Sequence, residues 1–165
     1  MKYLDKSPNI HKSVMNLGGK IIGDCKIEKN CNVWFHATIR GDMDKVTIKE
    51  GTNIQDNAVV HTNIDAPTYI GKYVTVGHSA IIHACTINDY ALIGMGSVIL
   101  DKAEVGEYAL VAAGTVVPPG KKVPPRTLAL GNPMKIIRKL SEAEIEANIE
   151  NAKNYIKLAN DYRRK

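Results

Sequence analysis

From residue 21 onward an Ile or Val returns with a period of six, and the residues between are mostly small or polar. The column reads Ile21, Ile27, Val33 and Ile39, then Ile48, Ile54 and Val60, then Ile70, Val76 and Ile82. It continues through Ile87, Ile93, Ile99, Val105, Val111, Val117 and Val123. Gly often follows the aliphatic residue, as in IGKYVT, VGHSAI, IGMGSV and VGEYAL. No helix has this period, whereas a short strand followed by a tight corner does. One such unit cannot bury its apolar edge alone, so units must stack about 4.8 Å apart into a continuous interior.

This pattern resembles the hexapeptide-repeat family. The resemblance implies an all-β fold, a single-stranded left-handed parallel β-helix in which three hexapeptides make one triangular coil with the aliphatic position inward. It covers residues 21–123. Two stretches lengthen the interval, GDMDKVT after Ile39 and TNIDAPTY after Val60, and both read as loops thrown out from corners. The repeat is expected to end at VPPG and VPPR, where proline cannot donate to a ladder. Beyond GNP at 131–133, Ser141 and Glu144 form a capping box. Ile145, Ile149, Ala152, Ile156 and Ala159 then recur at helical spacing. The expected organisation is a β-helix over 1–140, with an N-terminal strand and looped-out corners, and an amphipathic C-terminal α-helix over 141–165.

Composition narrows the function classes. Only 5% of residues are aromatic, which suits a repetitive core of β-branched side chains. The net charge of +5 comes from interspersed residues, and the tail from Met134 supplies eight Lys/Arg against five Asp/Glu. No aromatics interleave with a basic run, so nucleic acid is not an expected partner. Nor is a membrane, because no apolar run is long enough to span one. Cys25, Cys31 and Cys85 form no CxxC pair, and with no apolar leader at the N-terminus the expected setting is cytoplasmic.

The triangular register assigns places to the histidines. His61 follows Val60 and His83 follows Ile82, one coil later, so the two stack on one wall about 4.8 Å apart. Two imidazoles so placed can converge on one ion at Zn–N distances of about 2.0–2.1 Å. His78 lies two past Val76, beyond a corner, and reaches such an ion only from a neighbouring subunit. Arg40 falls directly below His61, and Asp56 one coil below His78. His11 and His36 have no such partners.

With those residues in view, the segments WFHATIRGD, NIQDNAVVH and VGHSAIIH resemble the three signature segments of the gamma-class carbonic anhydrases. The resemblance implies reversible hydration of CO2 to bicarbonate by a metal hydroxide held by three histidines at a subunit interface. It implies a homotrimer with His61, His78 and His83 as ligands to Zn2+, Fe2+ or Co2+. It implies that Arg40 and Asp42 form an inter-subunit ion pair and that Gln55 hydrogen-bonds the bound water beside the Asp56 carboxylate. Tyr155, in NAKNYIKLA, matches a tyrosine that some members bring to the site from the C-terminal helix. Met43 stands where the fully active archetype has a glutamate, and TNIDAPTY holds only Asp65, so weak turnover and buffer-dependent proton removal are implied. Two other readings share the repeat: an acyltransferase taking acyl-CoA, with one histidine as base, and a non-catalytic metal-binding assembly subunit. GNPMKIIR is common to such transferases and barely discriminates.

Overall fold

The structure is a computed structural model and describes residues 5–163. The chain winds into a left-handed parallel β-helix of about seven coils, closed by one helix, Glu142–Arg163. Its three walls form as expected from the register. The first wall stacks the start of Thr38–Ile48, then Val59–His61, Ile81–His83, Val98–Ile99 and Val116–Val117. The second carries Thr68–Ile70, Thr86–Ile87, Glu104–Val105 and Lys122–Val123. The third runs from Met15–Asn16 through Asn32–Val33, Asn53–Ile54, Thr75–Val76, Leu92–Ile93 and Leu110–Val111 to Thr127–Leu130. Sixteen of the seventeen aliphatic positions are at most 2% exposed, and Ile21, at the open lower end, is half-buried. At about 1.5–3 kcal/mol for each buried Val or Ile side chain, this column is the main source of stability.

Two expectations need correction. GDMDKVT is not a free loop, because residues 41–47 belong to one long strand, Thr38–Ile48, paired with Lys20–Ile27. The pairing passes from Gly23↔Gly41 directly to Cys25↔Val46, so the surplus residues are carried as a bulge. Gly makes this close approach possible: a Cβ on Gly23 would lie 2.3 Å from the Gly41 carbonyl oxygen. The prolines do not end the repeat either. They sit in corners, where no ladder donor is needed, and Thr127–Leu130 still pairs in parallel with Leu110–Val111, burying Ala129. TNIDAPTY does leave the coil, as a tight excursion closed by the Asn63↔Ala66 bridge.

The helix begins at the anticipated capping box: Ser141 N–H donates to Glu144 Oε2 at 2.8 Å and Glu144 N–H to Ser141 Oγ at 3.3 Å. Its buried face, with Ile145, Ala152 and Ala159, lies on the chain's own third wall over the lower coils. Trp34 is the anchor there, packed edge-on against Tyr155 at 5.5 Å and Tyr162 at 5.4 Å. Among the described residues no helix is long and apolar enough to cross a membrane. All three cysteines are free and buried, and burial pushes the Cys85 thiol up to about 12.

Candidate metal centre

The strands Val59–His61 and Ile81–His83 pair residue for residue, so His83 sits directly over His61 and His61 over Arg40. The two imidazole centroids are 5.2 Å apart, with the rings tilted by 57°. His78 is at the other end of this wall, in the corner that joins Thr75–Val76 to Ile81–His83. Among the described residues no group of three or more His, Cys, Asp or Glu side chains is gathered closely enough to hold a metal.

Each of the three histidines has a carboxylate. His61 Nε2 meets Asp42 Oδ1 at 2.8 Å, His78 Nδ1 meets Asp56 Oδ2 at 2.8 Å, and His83 Nδ1 meets Asp101 Oδ1 at 2.6 Å. The bulge delivers Asp42, and Arg40 forms its ion pair with Asp42 inside the same chain. Burial works against the Asp42 charge, but the hydrogen bonds from His61 and Arg40 outweigh it and hold its carboxyl below the usual range. Asp101 is also held low, chiefly by a hydrogen bond from Asn63.

Gln55 is buried, and both ends of its amide are engaged. Its Oε1 accepts from the His78 backbone N–H at 3.2 Å, and its Nε2 donates to Asn53 Oδ1 at 3.0 Å. Asn53 in turn donates to Thr75 Oγ1 at 2.9 Å, which also receives Asn151 Nδ2 of the helix at 3.1 Å. A mostly apolar cleft of about 420 Å3 opens alongside, lined by Gln55, His78, Leu92, Leu110, Asn151 and Tyr155. Burial, with the Asp56 charge, raises the Tyr155 phenol above its ordinary value. The structure therefore gathers Gln55, Asp56, His78 and Tyr155 at one corner, and Arg40, Asp42, His61 and His83 at the other end of the wall.

Asp101, Asn63, Asn53, Thr75 and Asn151 were not singled out from the sequence. The register held a signal for three of them. Asn53 and Thr75 occupy equivalent places before the aliphatic residue on successive coils, and Asp101 lies two past Ile99, the coil partner of Ile82. His36 takes a left-handed corner conformation, with φ 59°, and His11 bonds Ser13 at 2.9 Å.

No protein-family model matches the chain. It is 45% identical to gamma carbonic anhydrase 2, mitochondrial, of Arabidopsis thaliana over 96% of its own length but only 60% of the plant protein. It is 43% identical to the carbonic anhydrase of Geobacillus kaustophilus, over 98% of this chain and 89% of that one. Among solved structures it resembles the hexapeptide transferase family protein of Anaplasma phagocytophilum, with TM-score 0.90 and 44% identity over 94% and 92% of the two chains. Relatives of this identity and coverage, together with the coil architecture, make the chain a member of the gamma carbonic anhydrase family within the hexapeptide-repeat superfamily.

Proposed function

We propose that the protein is a gamma-class carbonic anhydrase that works as a homotrimer, with His61 and His83 of one subunit and His78 of the next holding one divalent metal. The observation that carries this reading is that the three imidazoles lie at the two ends of one wall, each backed by its own carboxylate. The donor set fits the group: three neutral imidazoles suit zinc, and also ferrous iron or cobalt. When bound, such an ion brings the pKa of a water towards ~7 and so supplies a hydroxide nucleophile for CO2.

The first wall supports subunit contact. Above Lys20 and Thr38 its outward column is Val59, Ile81, Val98 and Val116, whereas the same levels of the second wall hold Tyr69, Thr86, Glu104 and Lys122. An apolar strip edged by two of the proposed ligands suits a partner's surface. Asp42 and Asp56 fix the orientation of His61 and His78. Gln55 presents its amide beside His78, and the apolar cleft gives an uncharged triatomic substrate a path to that corner. Proton removal falls to buffer, since Met43 and the short 62–67 turn bring no glutamate. Three buried free thiols fit a reducing, cytosolic setting.

The test is CO2 hydration by zinc-loaded protein against its metal-free form, with acetyl transfer from acetyl-CoA assayed in parallel. Metal-dependent hydration that rises with buffer concentration is the expected result. Acetyl transfer without hydration would replace this reading with the acyltransferase one.

A further inference from the structure

We propose that Asp101, braced by Asn63, is a positioning residue that sets the tautomer and tilt of His83 and couples them to the turn after His61. The consequence for metal rests on the function proposed above, whereas the geometry does not. Asp101 Oδ1 lies 2.6 Å from His83 Nδ1, and Asp101 Oδ2 accepts from Asn63 Nδ2 at 2.8 Å. Asn63 is itself fixed. Its Oδ1 accepts the Ile64 N–H at 2.9 Å, and its main chain exchanges hydrogen bonds with Ala66 at 3.1 and 3.2 Å. The far end of the turn returns to the site, where the Thr68 hydroxyl donates to the His61 carbonyl.

An ionised carboxylate can only accept, so the imidazole nitrogen facing it must carry the proton. Asp101 therefore selects the Nδ1–H form of His83 and leaves the Nε2 lone pair free to bind an ion. His78 has the same arrangement with Asp56, but Asp56 sits within a signature segment, whereas Asp101 lies outside all three. The Asn63–Asp101–His83 chain spans two coils and a turn, so the excursion after Val60 acts as a brace for the ligand that faces it.

The experiment uses full-length protein. The 15N shifts of the His83 ring are read in the metal-free state, and Zn2+ affinity is measured by competition with a chromophoric chelator. Wild type should show the Nδ1–H form. Asp101→Ala should shift His83 towards Nε2–H and weaken zinc about 10–100-fold. Asp101→Asn, which keeps a carbonyl acceptor, should hold the wild-type tautomer, and Asn63→Ala should fall between. The Asp101 side chain is 31% exposed, so neither substitution at this position removes core, and unchanged circular dichroism would verify folding. An Asp101→Ala protein that keeps Nδ1–H at His83, with zinc affinity within about twofold of wild type, would overturn the proposal. If the wild type binds no zinc, the metal reading fails, while the tautomer in the metal-free protein still decides the role of Asp101.

Discussion

His83 stands directly above His61 in the parallel ladder, and their imidazole centroids are 5.2 Å apart. Backbone spacing alone brings the two side chains together, so the pair exists before any ion arrives. His61→Ala, His83→Ala and His78→Ala should each reduce bound zinc to background by elemental analysis. His78→Ala is the informative one, because within the chain it lies at the opposite end of the wall.

Gln55 should behave differently. Its amide is tied to the His78 backbone and to Asn53, and it is not among the proposed ligands. Gln55→Ala should therefore retain metal and lower kcat for CO2 hydration by about 10–100-fold. Loss of metal in this variant would assign Gln55 a structural role at the His78 corner instead.

One corner of the prism carries a stack of tyrosines. Tyr90 lies parallel to Tyr73 at 5.6 Å and to Tyr108 at 5.0 Å, and the Arg126 guanidinium lies 5.8 Å from the Tyr108 ring centroid. Below Tyr73 the stack ends on Gly51, where a Cβ would come within 2.6 Å of the Tyr73 ring. Each aromatic pair contributes about 0.5–1.5 kcal/mol. Tyr90→Ala loses two pairs and Tyr73→Ala one. Urea unfolding at fixed protein concentration should rank Tyr90→Ala as the more damaging, by about one pair.

The helix cap gives a pH signature. The Arg138 side chain, then the Ser141 N–H, lower the Glu144 carboxyl from 4.5 to about 2. A folded-state pKa below the unfolded value stabilises the fold above the unfolded pKa, and the gain disappears as pH falls through the folded one. The difference in unfolding midpoint between wild type and Glu144→Gln should thus be constant above pH 5 and shrink between pH 4.5 and 2. A difference that grew on acidification would contradict this assignment.

The Ile/Val column was readable because burial on one edge tolerates little else, and the histidine positions followed by counting along it. Counting stopped being sufficient where the chain departs from six. The surplus residues after Ile39 show only that something is extra. Whether they leave the coil or stay paired depends on the close contact of Gly23 with Gly41, which spacing does not encode. The prolines after Val117 and Val123 misled for a related reason, since a corner needs no ladder donor. Asp101 lies one coil above His83 and one residue past the position level with it, but a lone Asp at a corner usually serves the backbone. Its bond to His83 emerges only with side chains in place.

The shared site is tested most directly by co-expressing His78→Ala and His83→Ala chains under different tags and isolating the mixed assemblies. Neither parent can build a complete ligand set. In a mixed trimer, however, a His78→Ala subunit still offers His61 and His83 to the intact His78 of a His83→Ala neighbour. Random assembly from equal amounts makes about one interface in four complete. A centre divided between subunits predicts that both parents carry background zinc while the mixture regains about a quarter of the wild-type content, enriched in the doubly tagged fraction. Zinc in the mixture no higher than in either parent would contradict a centre divided between subunits.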